Sequence, residues 1–456
     1  MTNLYEPVIG LEIHVELNTK SKMFCSCSAQ YFGSKPNTHT CPVCLGLPGA
    51  LPSANTEALE SCIKIGLALG CKVSEKSRFE RKNYFYPDLP KGYQISQYRW
   101  PLTVGGEMEV VGKSGKRTIR INRAHMEEDT AKLVHQFGIT TVGARSDQLP
   151  TSNEGEKTLI DFNRSGVPLV EIVTEPDFHD SEEIRDYAKK LQQICRYLKV
   201  SNADMERGDM RLEANISVRR VGVKELPPYR VELKNINSFR FMVAAVEYEI
   251  KRQSEALENG ERLFQETRGW DENKKQTYSQ RKKEEANDYR YFPEPDLSVV
   301  SMKYDVSRIE AEMPELPAEK IKRFVDQYNL TEQQSVILTD TQELANYFEE
   351  CVKVGIDHNV DSKKIANTLI NKKFDRKTTL PADLIKILRE ESEKPEYPES
   401  ELESAVDKVI SENPDAVEDF KNGKDAILQF LLGQVMKETK GRADPEKARE
   451  MLLKKM

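Results

Sequence analysis

The first stretch that could do chemistry is a short alternating segment near the N-terminus, residues 8–16. Apolar side chains occupy every second position, which predicts a β-strand with one buried face. Three ionisable side chains share the other face: Glu12, His14 and Glu16. Carboxylates flanking an imidazole can bind a divalent cation. The alternative is a solvated outer face on which the histidine has no role.

Four cysteines follow in two close pairs: Cys25, Cys27, Cys41 and Cys44. Paired thiolates on two turns suit a tetrahedral zinc ion, and four thiolates leave no open position for catalysis. We therefore predict a structural zinc knuckle at residues 25–44. Two alternatives stay open: His39 replaces one sulfur, or the loop carries reduced thiols without metal. The other cysteines are isolated and are expected to be buried apolar residues: Cys62, Cys71, Cys195 and Cys351.

A run of three acids follows His125: Glu127, Glu128 and Asp129. Adjacent carboxylates repel one another unless water or a cation screens them. The run is therefore either a solvated acidic turn or part of a cation site. Another strand is expected over residues 159–173, where Glu171 stands in an apolar run. Because burying an unpaired carboxylate is costly, a positive group should face Glu171.

A possible phosphate-binding loop at Gly112, Lys113 and Ser114 does not fit the motif. The motif requires a glycine at position 107, which is Glu. The flanking segments predict the two arms of a hairpin with 112–115 as its turn, so no helix N-terminus is available for phosphate. Any ATP is therefore expected to bind without this motif.

The spacing of apolar residues predicts helices over 56–70 and 181–198, and strands over 205–217 and 232–237. From about residue 300 the pattern is helical, with a linker expected at 394–398. Predicted helix starts are marked by Thr331 with Gln334, by Ser400 with Glu403, and by Asp444 with Pro445. Gly355 is expected to end a helix.

The length of 456 residues suggests two to four domains. With 38% hydrophobic and 31% charged residues, the composition is typical of a soluble globular protein. No apolar run approaches the roughly 18 residues that span a bilayer, so the cytoplasm is the expected location. A net charge of -7 argues against a protein wrapped in nucleic acid. The last twenty residues carry seven basic and four acidic side chains, which fits either a local nucleic-acid contact or a solvated helix.

Five motifs occur together and in a fixed order: Glu12–His14, Arg81–Gln97, His125–Asp129, Asp161–Glu171 and Asp288–Asp296. With these motifs the chain closely resembles the B subunits of the glutamine-dependent aspartyl/glutamyl-tRNA amidotransferases, essentially from end to end. The resemblance implies an α+β fold in three parts. They are a cradle of mixed β-sheet and helices over 1–297, an all-helical domain over 298–398, and a small all-helical tail over 399–456 that contacts tRNA.

The resemblance also implies a heterotrimer, in which an amidase (glutaminase) subunit releases ammonia from glutamine and a small third subunit wraps the other two. In such a complex, the resemblance implies, this chain would be the kinase half. Such a chain would use ATP to activate the side-chain carboxylate of misacylated Asp-tRNA(Asn) or Glu-tRNA(Gln) as an acyl phosphate. Ammonia would then give Asn-tRNA(Asn) or Gln-tRNA(Gln). The sequence leaves open which of the two tRNAs is the substrate.

Site residues follow from the same resemblance. It implies that Mg²⁺ is held by Glu12, His14, Glu128 and Glu171. Residues expected to support that site or to bind a second ion are Glu127, Glu206 and Glu213. Residues expected to face the ATP phosphates are Lys82, Arg211 and Lys234. The four cysteines occur in only some members of the family, which implies a structural role for zinc.

Two other functions are considered. A non-catalytic tRNA-binding scaffold for the amidase would tolerate isosteric substitution of the proposed metal ligands. An archaeal relative specific for Glu-tRNA carries a large inserted domain, and 456 residues leave little room for it.

Overall fold

The computed structural model describes residues 4–136, 157–282, 288–301, 306–372, 378–393, 398–421, 424, 426–439 and 441–456. The chain forms two compact units, residues 1–327 with 335–342, and residues 328–334 with 343–456. The three-part division with boundaries near 297 and 398 stays a prediction. The linker expected at 394–398 lies outside the described residues except for Pro398.

The strands are β1 (Tyr5–Glu16), β2 (Lys72–Val73), β3 (Lys76–Ser77), β4 (Glu80–Asn83), β5 (Tyr93–Ser96), β6 (Thr103–Val104), β7 (Glu107–Gly112), β8 (Gly115–Glu128), β9 (Lys132–Gln136), β10 (Lys157–Asp161), β11 (Pro168–Thr174), β12 (Met210–Arg220), β13 (Val231–Ile236), β14 (Glu266–Asp271), β15 (Gln276–Lys282), β16 (Phe292–Pro293) and β17 (Val300–Ser301).

The helices are α1 (Thr56–Ala68), α2 (Ser181–Tyr197), α3 (Phe239–Glu258), α4 (Val306–Glu312), α5 (Pro317–Tyr328), α6 (Glu332–Leu338), α7 (Gln342–Asp357), α8 (Ser362–Asn371), α9 (Pro381–Glu393), α10 (Glu399–Glu412), α11 (Pro414–Lys421), α12 (Ala426–Glu438) and α13 (Pro445–Lys455). A mixed sheet with helices in the first unit and helices in the second confirm the predicted α+β class. No described helix combines the length and the apolarity needed to cross a membrane.

The main sheet has the strand order β15-β14-β13-β12-β1-β11-β8-β6-β2, with β7 paired to β8. Strand β1 is central and antiparallel to both of its neighbours, β11 and β12. The opening segment of the chain therefore lies in the middle of the sheet, as a strand with neighbours on both sides. A smaller sheet of order β16-β4-β5 also belongs to the first unit.

One face of β1 is buried in the main hydrophobic core. Ile13 and Val15 are fully buried there, in the same core as Ile63 of α1 and Leu191 of α2. The alternation of apolar and polar residues along β1 therefore leaves the ionisable side chains on the face opposite this core. This confirms the predicted strand.

Several predicted elements are confirmed. The helix expected over 56–70 is α1, and the helix expected over 181–198 is α2. The hairpin is formed by β7 and β8, whose paired ends are Gly112 and Gly115. Asp444 caps α13 by accepting backbone hydrogen bonds at 2.8 and 3.2 Å.

Other predicted boundaries are wrong. The strand expected over 159–173 is interrupted and forms β10 and β11, and the strand expected from 205 begins only at Met210. Helix α7 continues through Gly355 to Asp357, so this glycine does not end the helix. It instead permits close packing, since a Cβ there would lie 2.9 Å from Ile365 Cδ1. Helix α10 begins at Glu399, directly after an extended Pro398, so Ser400 is inside the helix and does not cap it.

Candidate metal and phosphoryl-transfer site

Pairing of four strands places ionisable residues in one row across the main sheet. His14 on β1 lies opposite Arg211 on β12 and opposite Glu171 on β11. Glu171 in turn lies opposite His125 on β8. Directly opposed residues point to the same face of a sheet, so this row collects groups from distant parts of the sequence.

A compact set of possible metal ligands lies on this face: His14, Glu127 and Glu171. One ligand atom from each lies within 4.8 Å of the others. His14 Nε2 is 3.8 Å from both Glu127 Oε2 and Glu171 Oε2. A Mg²⁺ ion about 2.1 Å from each ligand can bridge atoms at most about 4.2 Å apart, so these separations fit one ion. The two carboxylates are buried, at 2% and 7% exposed.

The structure does not bring Glu128 to this set. Side chains alternate along β8, so Glu127 shares the face of His125 while Glu128 points to the other side. Glu128 instead accepts a hydrogen bond from the Ile95 backbone N–H at 2.8 Å and from Lys91 Nζ at 2.6 Å. The acids are also not a solvated turn, because Glu127, Glu128 and Asp129 are all buried. Glu127 therefore stands where Glu128 was expected.

The smaller sheet covers Glu127. Its carboxylate accepts hydrogen bonds from Ser96 Oγ at 2.6 Å and from Gln94 Nε2 at 3.2 Å, both on β5. Lys82 on β4 lies opposite Gln94, and its Nζ is 3.5 Å from Glu127 Oε1. The same Nζ lies 5.4 Å from the centre of the Tyr289 ring. Lys82 is therefore brought to the cluster, and its predicted contact with the ATP phosphates stays a prediction.

The imidazole of His125 lies beside the two glutamates. Its Nε2 is 3.3 Å from Glu171 Oε2 and 3.8 Å from Glu127 Oε1. Burial alone would lower the pKa of His125, but the negative charges of Glu171 and Glu127 and the hydrogen bonds to both carboxylates together outweigh burial and raise it. Burial likewise opposes the ionisation of Glu171, yet the charge of His125 holds the pKa of Glu171 well below its usual range. His125 therefore faces Glu171 at the place where the sequence predicted a positive group.

Glu12 lies beside a second group of acids, with Glu213 on β12 and Glu232 on β13. Glu12 Oε1 accepts a hydrogen bond from Asn215 Nδ2 at 2.9 Å. Burial raises the pKa of Glu12, and repulsion from Glu171 and Glu213 raises it further. Glu12 therefore interacts with both groups of carboxylates.

The other two predicted phosphate-facing cations, like Lys82, are engaged with carboxylates. Lys234 Nζ lies 2.6 Å from Glu213 Oε2 and 3.2 Å from Glu232 Oε1. Arg211 donates to Asp129 Oδ2 at 2.9 Å. Glu206 is exposed in a turn and belongs to neither group of acids.

A further buried network next to the row was missed by the sequence interpretation. Asp129 interacts with Arg211 and Arg164, and Glu16 accepts from the Tyr31 hydroxyl at 3.0 Å. Burial would raise the pKa of Asp129, but the two arginines hold it well below its usual range. Burial and the nearby Asp129 raise the pKa of Glu16. Glu16 of β1 therefore belongs to this network. Its position two residues after His14 is the sequence signal that places both side chains on the same face of the strand.

The four predicted zinc ligands come together in the structure. One Sγ atom from each of the four cysteines lies within 4.8 Å of the others. Cys44 Sγ and Cys41 Sγ are 3.8 Å apart. Tetrahedral zinc with Zn–S bonds of about 2.3 Å separates its sulfurs by roughly 3.8 Å, so the geometry fits this ion. Lys22, which is fully buried, donates to the His39 carbonyl at 2.7 Å and anchors the loop.

Comparison with known proteins identifies the family. A model described as the GatB/GatE catalytic domain matches residues 7–308, and one described as the GatB domain matches residues 325–456. A relative from Carboxydothermus hydrogenoformans, named as the B subunit of aspartyl/glutamyl-tRNA(Asn/Gln) amidotransferase, is 46% identical over 99% of both chains. Relatives of the same name from Thermosipho melanesiensis and Thermodesulfovibrio yellowstonii are 45% and 44% identical over 98% and 99% of both chains. The chain therefore belongs to the family of B subunits of the aspartyl/glutamyl-tRNA(Asn/Gln) amidotransferases, as its motifs predict.

Proposed function

We propose that this chain activates the side-chain carboxylate of misacylated Asp-tRNA(Asn) or Glu-tRNA(Gln) within an amidotransferase of several subunits. An oxyanion is a poor electrophile and a poor leaving group, so the carboxylate must be activated before ammonia can attack. The γ-phosphoryl group of ATP would be transferred to one carboxylate oxygen, giving an acyl phosphate and ADP. Ammonia would then displace phosphate and leave the amide. The names of the relatives support the substrate and the reaction class.

The observation that carries the proposal is the cluster of partly exposed His14 with buried Glu127 and Glu171, within the segment that matches the family's catalytic domain. Together with the nearby Glu12, this donor set suits Mg²⁺, and its single imidazole also admits Mn²⁺. When bound, the ion would neutralise charge on the phosphoryl group and position it. Glu127 takes the metal-binding role that the resemblance gave to Glu128, because only Glu127 faces the other ligands.

The chain's own cations would neutralise the rest of the phosphate charge. Lys82 is the best placed of the three predicted residues, because its ammonium borders the metal ligands at 3.5 Å from Glu127. Arg211 lies opposite His14 in the same row and would turn from Asp129 to reach a phosphate oxygen. Lys234 is enclosed by carboxylates, which makes a phosphate contact unfavourable.

The remaining parts of the proposal concern the assembly. An amidase (glutaminase) subunit would supply ammonia, and a small third subunit would complete a heterotrimer that acts in the cytoplasm. Zinc would be held by the four cysteines and would stabilise the loop without taking part in the reaction, since four thiolates leave no open coordination position.

The proposal is tested by amide formation on Glu-tRNA with ammonium as nitrogen donor, which bypasses the amidase. The assembled complex would carry the wild-type chain, Glu127→Gln or His14→Ala. We expect both variants to lose ATP hydrolysis and amide formation while tRNA still binds. Undiminished turnover in both variants would favour the non-catalytic scaffold.

A further inference from the structure

A pocket of about 560 Å³ opens at the end of β1. Its walls come from three segments of the first unit: residues 16–19 at the end of β1, residues 29–32 of the cysteine-bearing loop, and the segment before β12. This last segment contributes Asn202, Arg207 and Asp209. The volume lies within the range of roughly 300 to 1,000 Å³ that is usual for small-molecule sites. The pocket is therefore large enough to hold part of a substrate.

Asp209 is a buried acid of this pocket whose hydrogen bonding is incomplete. It is 8% exposed, and its Oδ2 has no hydrogen-bond partner among the residues that the structure describes. Arg207 Nε lies 3.6 Å from this atom, beyond hydrogen-bond distance. The neighbouring Glu16 differs, because the Tyr31 hydroxyl lies 3.2 and 3.0 Å from its two oxygens. A buried carboxylate oxygen without a donor is costly, so Asp209 is suited to receive a donor from a ligand.

Strand pairing places Asp209 on the same face as the proposed metal ligands. The Glu16 N–H donates to the Asp209 carbonyl at 2.8 Å. This bond continues the register in which His14 lies opposite Arg211. Asp209 and Glu16 are therefore two residues along their strands from that pair, a distance of about 6.8 Å, and their side chains point to the same side of the sheet.

The substrate of the proposed reaction carries a group that fits this position. In Asp-tRNA and Glu-tRNA the amino acid is esterified through its α-carboxyl group, so its α-amino group is free. As an ammonium this group is positively charged and offers three N–H donors. In an extended glutamate the α-nitrogen lies about 5 Å from the side-chain carboxyl carbon. An amino acid whose side chain reaches His14 can therefore place its ammonium near Asp209.

The rim of the pocket suits the nucleotide that follows the ester. Phe32 is exposed there, and Arg207 Cζ lies 4.4 Å from the centre of its ring. Aromatic side chains stack on nucleic-acid bases, and guanidinium groups bind phosphate. A nucleotide at this rim would leave the ammonium inside the pocket and direct the amino-acid side chain along β1.

We propose that the pocket beside Asp209 binds the α-ammonium group of the amino acid on the misacylated tRNA. The chain would thus recognise a free amino group in addition to the carboxylate that it activates. This inference rests on the proposed function, because that function supplies the substrate. Asp209 accepts a hydrogen bond from the ammonium and thereby fixes the distance from the α-carbon to the cluster at His14.

The test compares Glu-tRNA with the same tRNA esterified with glutaric acid, which lacks only the α-amino group. Amide formation by the assembled complex is measured with ammonium as nitrogen donor. For wild-type chain, kcat/KM is expected to be about 10- to 100-fold higher for Glu-tRNA, the range that a charged hydrogen bond contributes. Asp209→Asn keeps the shape but removes the charge, and should reduce this preference to less than about threefold. Glu272→Gln makes the same change in charge in an exposed turn and should keep the full preference.

Equal kcat/KM for the two tRNAs with wild-type chain would overturn the inference, whether or not any variant folds. An undiminished preference in Asp209→Asn would also overturn it, because the ammonium would then be recognised elsewhere. If this variant turns over too slowly, the ratio of the equilibrium affinities for the two tRNAs provides the same comparison. Failure of the wild-type complex to amidate Glu-tRNA would instead remove the proposed function, and the inference with it.

Discussion

His14 and Glu171 lie directly opposite each other on β1 and β11, with His14 Nε2 3.8 Å from Glu171 Oε2. This antiparallel pairing joins two acid-bearing strands, and the pairing of β11 with β8 brings His125 to the same face. The proposed ligand set therefore lies at the centre of a sheet, which fixes side chains more closely than a loop would. The position of Glu127 in that set has direct consequences for metal binding.

Glu127→Gln is expected to abolish Mn²⁺ binding at the His14 cluster, because it removes a buried carboxylate ligand whose charge the cation requires. Glu128→Gln is the matched comparison one residue away. It should retain Mn²⁺ binding, since Glu128 contacts Lys91 and the Ile95 backbone on the other side of the strand. Titration with Mn²⁺ monitored by electron paramagnetic resonance measures both. The reverse result, loss of binding only in Glu128→Gln, would restore the assignment that the resemblance gave.

Removal of zinc by a chelator is expected to lower the melting temperature of the chain, because four thiolates then lose the ion that holds their loop. Metal-dependent phosphoryl transfer should persist in the protein that stays folded. Differential scanning fluorimetry measures the melting temperature. ATP hydrolysis by the assembled complex, after Mg²⁺ is restored, measures phosphoryl transfer. Cys351→Ser is the control, since Cys351 lies on α7 and its loss should release no zinc. Loss of activity with an unchanged melting temperature would contradict a structural role.

The zinc-free loop should retain a thiolate at unusually low pH. A hydrogen bond from Cys25 lowers the pKa of Cys44 to about 4, and the charge of Lys22 acts in the same direction. The ultraviolet absorbance of one thiolate should therefore persist below the ordinary cysteine pKa of about 8.5 and disappear as the pH falls through about 4.

Two variants of Cys25 distinguish the effect of its hydrogen bond on the pKa of Cys44 from the effect of the other groups around Cys44. Cys25→Ala removes the donor and should raise the pKa of Cys44, whereas Cys25→Ser keeps an O–H donor and should largely preserve the low value. Complete loss of thiolate absorbance already near neutral pH in wild-type, zinc-free chain would contradict this account.

Glu249 is a buried structural carboxylate away from the proposed site. It is fully buried on α3 and lies 2.8 Å from Arg252 Nη2 and 3.0 Å from Arg268 Nε. Glu249→Gln removes the fully buried negative partner of both guanidinium groups, which keep only Glu266 as a described acidic partner, at 3.5 and 3.0 Å. The free energy of unfolding should therefore fall by about 3 kcal/mol. Urea unfolding of the full chain measures this loss, from the unfolding transition of the first unit.

The control for Glu249 is Glu255→Gln on the same helix. Glu255 is exposed and lies 3.8 Å from Lys251, a separation at which a surface ion pair contributes little. Its substitution should change the free energy of unfolding by less than about 0.5 kcal/mol. Equal effects of the two substitutions would show that the buried network does not stabilise this part of the protein.

Local patterns predicted much of the fold and of the site. The alternation of β1, the spacing of α1 and α2, and the paired cysteines each depend on a few neighbouring residues. Which side chains at the end of β8 face the site could not be predicted in the same way, because no local pattern showed that the strand continues as far as Glu128. Once that is known, alternation places Glu127 with His125 and excludes Glu128.

The surroundings of Lys234 and Arg211 depend on strand pairing. Arg211 faces His14 only because β12 pairs with β1, and Lys234 reaches Glu213 through a bulge between β12 and β13. These contacts join residues that are far apart in sequence. The sequence alone therefore did not show that Lys234, which was expected to face phosphate, is enclosed by acids.

The most direct test of the central claim follows an oxygen atom through the reaction. Glu-tRNA whose side-chain carboxylate carries ¹⁸O is incubated with the assembled complex, ATP and ammonium, and the released inorganic phosphate is examined by mass spectrometry. Activation as an acyl phosphate requires one labelled oxygen to leave with phosphate for every amide formed. Amide formation with unlabelled phosphate would contradict the account.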